Sequence, residues 1–244
     1  MALKRLYEKN ELAFSLVWIV AYVVLMSLAD SLSSLVGVEK SVTLPVSLAL
    51  ALALIIWIKR MALTEKYGLT PGRFPFKAYL GFIPLAIIVS VNFWGGVSLN
   101  YTVWEAVLYV ASMLCVGIIE EVIFRGFLFK YLARGNLTVA IIVSSVTFGF
   151  GHVINLVSGA DVIPTLLQIA YATAAGFLFT VIFYRSGSLL PCIITHSLIN
   201  ATSVICVEGN LTMSIITASV LVVVSVGYAV LVWFVGGSKG RREA

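Results

Sequence analysis

The chain has only two histidines, His152 and His196, and each lies inside a long apolar stretch. Its only adjacent acidic pair, Glu120-Glu121, lies in a third. An ionisable group at the centre of a bilayer costs roughly 2.5–3.5 kcal/mol on insertion scales, so such groups mark an intramembrane site for chemistry or transport. Glu121 and Arg125 are four residues apart, with the acid N-terminal, and share one helical face. Glu120 points about 100° away from that face. One carboxylate is thus neutralised locally while its neighbour faces another helix. His152 is followed three residues later by Asn155, which could orient the imidazole or bind a substrate backbone. His196 and Asn200 are four apart and project together. Gly149 and Gly151 should let the His152 segment press against the segment that carries Glu120.

A buried carboxylate beside an imidazole can act as a general base on water. A second His–Asn pair can donate hydrogen bonds to a developing oxyanion. Together these residues would hydrolyse a peptide without a covalent intermediate. The same residues allow a second chemistry, because one Glu and two His (Glu120, His152, His196) make a catalytic zinc set with an open position for water. No serine or cysteine is placed as a nucleophile, and Ser197 points away from His196. Cys115, Cys192 and Cys206 are odd in number and lack ligand-type spacing, so they read as small buried residues. Singly, a Glu–Arg pair, a membrane histidine or an asparagine in a span is often only packing glue. Their joint occurrence is what signals a site.

The elements that must position these residues are membrane helices. The 244 residues are 61% hydrophobic and 11% charged, against about 25% charged in soluble domains, and the mean hydropathy is +1.07. The expected fold is all-α: a polytopic membrane bundle forming one integral domain over 1–244. About 20 apolar residues cross the hydrocarbon. Eight segments approach this length: Leu12–Leu32, Val42–Ile58, Ala78–Leu99, Val103–Leu128, Leu137–Leu156, Val162–Tyr184, Leu189–Val207 and Leu211–Val235. The first has a basic leader but no cleavage-type ending, and reads as a retained span. With eight spans, fifteen of the sixteen Lys and Arg fall on one side and only Lys40 on the other. The positive-inside rule then places both termini in the cytoplasm. The basicity is topological, and no nucleic-acid partner is expected. Tyr67–Lys77 reads as an interfacial cytoplasmic loop, and Pro191 as a kink in the seventh span.

At these residues the chain resembles the CPBP family of intramembrane proteases, the CAAX prenyl proteases and bacteriocin-processing (Abi) enzymes. The family signatures Glu-Glu-x-x-x-Arg, Phe-x-x-x-His and His-x-x-x-Asn/Asp match as Glu120-Glu121…Arg125, Phe148…His152 and His196…Asn200, in order. The resemblance covers about Val103 to Val207, the expected catalytic core. It implies an endopeptidase acting on membrane-associated peptides, including lipidated peptides, C-terminal segments and leaders. By carry-over, Glu120 and His152 activate water, His196 and Asn200 stabilise the oxyanion, and Glu121 with Arg125 organise the site. Phe148 and Asn155 would support the site or touch substrate. The family has been described both as metallo- and as glutamate-dependent proteases; no cofactor is favoured, with zinc as the alternative. A proton- or ion-coupled transporter using the same acids is the second reading, although the inverted repeats of transporters are missing. The expected location is a prokaryotic cytoplasmic membrane. Counted from the basic side, Glu120 lies about 15 Å deep, His196 about 12 Å and His152 about 22 Å. This placement suggests that substrate arrives from the inner leaflet.

Overall fold

The computed structural model describes residues 2–71, 83–207 and 209–235, and all its regular elements there are helices. A short amphipathic helix, α1 (Ala2–Lys9), leads into α2 (Glu11–Val36) and α3 (Thr43–Arg60). Next come α4 (Ile83–Ser90, extended by the 3-10 turn Val91–Phe93) and α5 (Val103–Glu121), which runs on through a π-helical stretch, Val122–Phe129. The helix α6 (Leu137–Phe150) is prolonged by a 3-10 turn, Gly151–Val153, and by Ile154–Val157. The last three are α7 (Val162–Ser186), α8 (Leu190–Thr202) and α9 (Leu211–Val235).

Among the described residues six stretches are long and apolar enough to cross a membrane: Glu11–Val36, Thr43–Arg60, Val103–Leu132, Leu137–Val157, Val162–Ser186 and Leu211–Phe234. The third and seventh expected spans are the shorter apolar helices Ile83–Phe93 and Leu190–Ile205. At 1.5 Å per residue these reach about 17 and 24 Å, less than the hydrocarbon thickness. The two pack against each other, and α8 also lies along α5. Such short elements suit positions where protein covers them. The expected start of the third span at Ala78 lies outside the described residues, as do Arg73, Lys77, Glu208, Lys239, Arg241 and Arg242.

Local signals set the helix ends. Asn10 and Asn136 cap α2 and α6, accepting from Ala13 N at 2.9 Å and Val139 N at 3.0 Å. Thr102 and Glu105 form a reciprocal capping box at the start of α5. Pro191 sits in the first turn of α8, where its missing N–H costs nothing, so it starts that helix and does not kink a longer one.

Charge divides the two ends of the bundle. At one end Glu11 pairs with Lys66 at 3.0 Å and with Arg134 at 2.7 Å, which joins the N-terminal region, the loop after α3 and the end of α5. At the other end Lys40 pairs with Asp30 at 2.7 Å, and Glu105 accepts from Glu39 N at 3.1 Å. Burial lowers the Lys40 pKa, but its hydrogen bond and ion pair with Asp30 outweigh this and raise it. Of the expected interfacial loop Tyr67–Lys77, only Tyr67–Pro71 lies within the described residues. Tyr67 is buried against Phe127 and bonded to the Tyr7 hydroxyl at 3.1 Å. Gly68, at φ +62°, accepts from Leu189 N at 2.8 Å. A Cβ at Gly68 would strike the Phe183 ring at 2.7 Å, so only glycine fits this seam.

Candidate active site

Glu120 and Glu121 end the regular part of α5, and all eight residues of the π-helical stretch that follows are buried. Such stretches are rare and recur at functional sites. Glu121 is fully buried. Its Oε1 accepts from Arg125 Nη1 at 2.8 Å and lies 2.9 Å from His196 Nδ1. Glu120 faces the other way, as its position on the helix implies. Its Oε1 accepts from the Tyr22 hydroxyl of α2 at 2.6 Å, and its Oε2 lies 3.3 Å from His196 Nε2. His196 therefore bridges both carboxylates, one with each ring nitrogen. For both contacts to be hydrogen bonds, the three groups must share one proton beyond those of a neutral ring and two carboxylates. Together with Arg125 that makes the cluster electrically neutral.

Arg125 is entirely enclosed. Its guanidinium lies over the Phe148 ring at 4.1 Å and near Phe179 at 5.6 Å. Its Nε and Nη2 have no hydrogen-bond acceptor, and the ring faces supply the remaining attraction. Phe148 also packs edge-on against His196 at 5.5 Å and against His152 at 5.7 Å, so it joins the two imidazoles.

His152 sits in the 3-10 turn that ends α6, with Nδ1 at 3.3 Å from Gly149 O. A carbonyl only accepts, so this bond requires the hydrogen on Nδ1 and leaves Nε2 with a free lone pair in the neutral ring. His152 and Glu120 line one cavity of about 780 Å³, together with Tyr22, Phe124, Phe148 and Asn155. Although it counts deeper than Glu120 along its span, His152 lies in the turn beyond α6 and lines the same cavity.

The remaining expected residues are arranged differently. Asn155 lines the cavity but donates its amide to Gln168 of α7 at 2.8 Å instead of orienting His152. His196 and Asn200 are not among the residues lining the cavity; His196 stands behind Glu120, and the Asn200 carbonyl accepts from Ser203 Oγ at 2.6 Å. Gly149 approaches α7 and not α5: a Cβ there would lie 2.8 Å from both Ile169 O and Thr173 N, while Gly151 has open space. The close approach to α5 occurs at Gly117, where a Cβ would meet Ser197 N of α8 at 2.8 Å. Gly149→Ala should therefore push α6 off α7, move His152 three residues on and cost about 1–3 kcal/mol of stability. A thermal melt and a cleavage assay on the same sample would check this; unchanged values of both would refute it. Among the described residues none of Cys115, Cys192 and Cys206 forms a disulfide, and of the three only Cys192 is fully buried.

A metal needs several donors turned to one point. Among the described residues no three His, Cys, Asp or Glu side chains are so grouped. Both nitrogens of His196 already face carboxylates, so Glu120, His152 and His196 do not fit a zinc site in this arrangement.

Residues 102–202, which run from the cap of α5 to the end of α8 and carry every motif residue above, match the family model of the Rce1-like type II CAAX prenyl endopeptidases. This segment is thus similar to Rce1-like domains, consistent with a CPBP-family protease. No curated protein and no solved structure matches the chain. The Rce1-like match supports a membrane endopeptidase and does not favour a transporter. Tyr22, which touches the Glu120 carboxylate, lies in α2, outside the matched segment. Sequence reasoning missed it. The available signal was spacing: Phe14, Trp18, Tyr22, Met26, Ala29 and Ser33 form one buried stripe on α2.

Proposed function

We propose that this protein is an intramembrane endopeptidase in which Glu120 and His152 activate a water molecule against the scissile carbonyl of a membrane-associated peptide. The observation that carries this reading is the shared cavity. Glu120 is held at its floor by Tyr22 and His196, and His152, whose Nδ1 faces Gly149 O, lines the same space. Water between them gives a proton to Glu120 while its oxygen attacks the carbonyl carbon. Once protonated, Glu120 holds His196 Nε2 less strongly, and a shift of the His196 ring past Glu120 into the cavity would let Nε2 donate to the oxyanion, with Asn200 one turn along α8. The C–N bond then breaks as the proton passes to the leaving amine, giving a carboxylate and an amine. Glu121 and Arg125 keep His196 in place throughout. The substrate is a membrane-associated peptide, with a lipidated C-terminal or leader segment as the class the family description suggests.

The test uses full-length protein in liposomes with a membrane-anchored, fluorescence-quenched peptide. His152→Ala should slow cleavage by about 10²–10⁴-fold, with unchanged elution and melting. A sample stripped of metal by a chelator should keep its activity. Wild-type rates in His152→Ala would end the proposed water activation, and activity lost on stripping and restored by zinc would end the metal-free route.

A further inference from the structure

The cavity runs in one direction only. Along α2 its wall passes from Tyr22 to Leu35, and along α6 from Phe148 to Ser158. None of its lining comes from α2 before Tyr22, α5 after Phe124 or α6 before Phe148. Exposure rises along the same path. Tyr22, Phe124 and Phe148 at the floor are 8%, 4% and 4% exposed, whereas Leu35 and Val157 at the far end are 82% and 81%. Toward the basic end aromatic rings pack α2 against the continuation of α5. Phe14 packs against Trp18 at 6.3 Å, Trp57 at 4.7 Å and Phe127 at 5.1 Å, and Tyr67 packs on Phe127 at 5.0 Å.

The open end is the one that holds Asp30, Glu39 and Glu105, where the one basic residue among the described residues, Lys40, is bound to Asp30. Among the described residues the opposite end holds Lys66 and Arg134, both on Glu11, with Lys4, Lys9, Lys59, Arg60, Lys130 and Arg185 near the helix ends on that side, so the positive-inside rule makes the open end extracytoplasmic. The wall chemistry suits a peptide. One face of α2 presents Ser27, Asp30, Ser31 and Ser34 along the cavity, at helical spacing, while Met113, Val116 and Val157 offer apolar surface opposite. A polar stripe on a membrane helix is stable where it meets water and not lipid.

We infer that the site is reached from the extracytoplasmic side, through the cleft between α2 and the outer part of α6, and that its substrate is an exported, membrane-anchored peptide segment presented there. This rests on the proposed hydrolytic role of Glu120 and His152. It reverses the expectation of arrival from the inner leaflet. Depth alone suggested that route, but the cavity lining runs away from the basic end.

The test is thiol accessibility in the full-length protein, with the unsubstituted chain as background. Ser27→Cys places a thiol deep in the cavity, and Gly135→Cys marks the basic end. A charged, membrane-impermeant methanethiosulfonate is applied to right-side-out and to inside-out vesicles. Ser27→Cys should react about tenfold or more faster in right-side-out vesicles, because a charged reagent crosses the hydrocarbon poorly, and Gly135→Cys should show the reverse. Ser31→Cys is the second position if Ser27→Cys is not produced. Reaction of the cavity thiol from the same side as Gly135→Cys, or from neither side, overturns the inference; so does Gly135→Cys reacting from outside. Cleavage in detergent, where sidedness vanishes, separates the two readings. If His152→Ala is inactive there but the cavity thiol reacts from the basic side, only the access route falls.

Discussion

Glu120→Gln is expected to lower the rate of peptide cleavage by about 10²–10⁴-fold, the range for losing a general base, while leaving the folded protein intact. The amide matches the carboxylate in volume and can still accept from the Tyr22 hydroxyl, which holds Oε1 at 2.6 Å. It cannot take a proton from water. Its N–H2 would also meet His196 Nε2, now at 3.3 Å from Oε2, and alter the proton sharing around the ring. Tyr22→Phe provides the contrast. It removes one hydrogen bond but keeps the base, so cleavage should fall by less than in Glu120→Gln. Rates measured in detergent together with melting midpoints check both. Near wild-type cleavage by Glu120→Gln would remove this carboxylate from the chemistry.

Much of this arrangement could be read from the sequence because lipid makes charge expensive. Glu120, Glu121, Arg125, His152 and His196 stood out only because their surroundings were apolar, and the i,i+4 pairing of Glu121 with Arg125 follows from helical spacing alone. Tyr22 was harder to see. A tyrosine in a membrane helix can pack like any aromatic, and nothing local shows that its hydroxyl meets an acid 98 positions away. The two short helices were also hidden. Hydropathy continues through Gly95-Gly96-Val97 and past Thr202, where the backbone has already left the helix. Gly149 showed that two helices come close but not which two, because a small residue specifies a distance and not a partner. The role given to Asn200 came from its spacing to His196, and spacing along one helix does not reveal that His196 is turned toward two carboxylates of α5.

Arg125→Met is expected to be the most destabilising single change at the site. The guanidinium and the Glu121 carboxylate are both fully buried and 2.8 Å apart. Removing one member of such a pair leaves the other charge uncompensated, at a cost of about 3–5 kcal/mol. In a chain of this length that corresponds to a fall of about 6–20 °C in Tm. Lysine would not rescue it, because a point charge cannot reproduce the planar contact over Phe148 at 4.1 Å. The double variant Arg125→Met, Glu121→Leu removes both charges and should recover much of the lost stability, since no orphan ion remains. It should not recover cleavage, because His196 Nδ1 loses its partner at 2.9 Å and no longer holds Glu120 from behind. Melting and cleavage measured on both variants separate these effects. A double variant no more stable than the single would show that Arg125 acts through packing on Phe148 and Phe179 and not through charge. In either case the residue joins the helices of the site: its own α5 to Phe148 of α6, Phe179 of α7 and, through Glu121, His196 of α8. A loss of fold at Arg125 should therefore reach His152 as well, through the Phe148 ring they share.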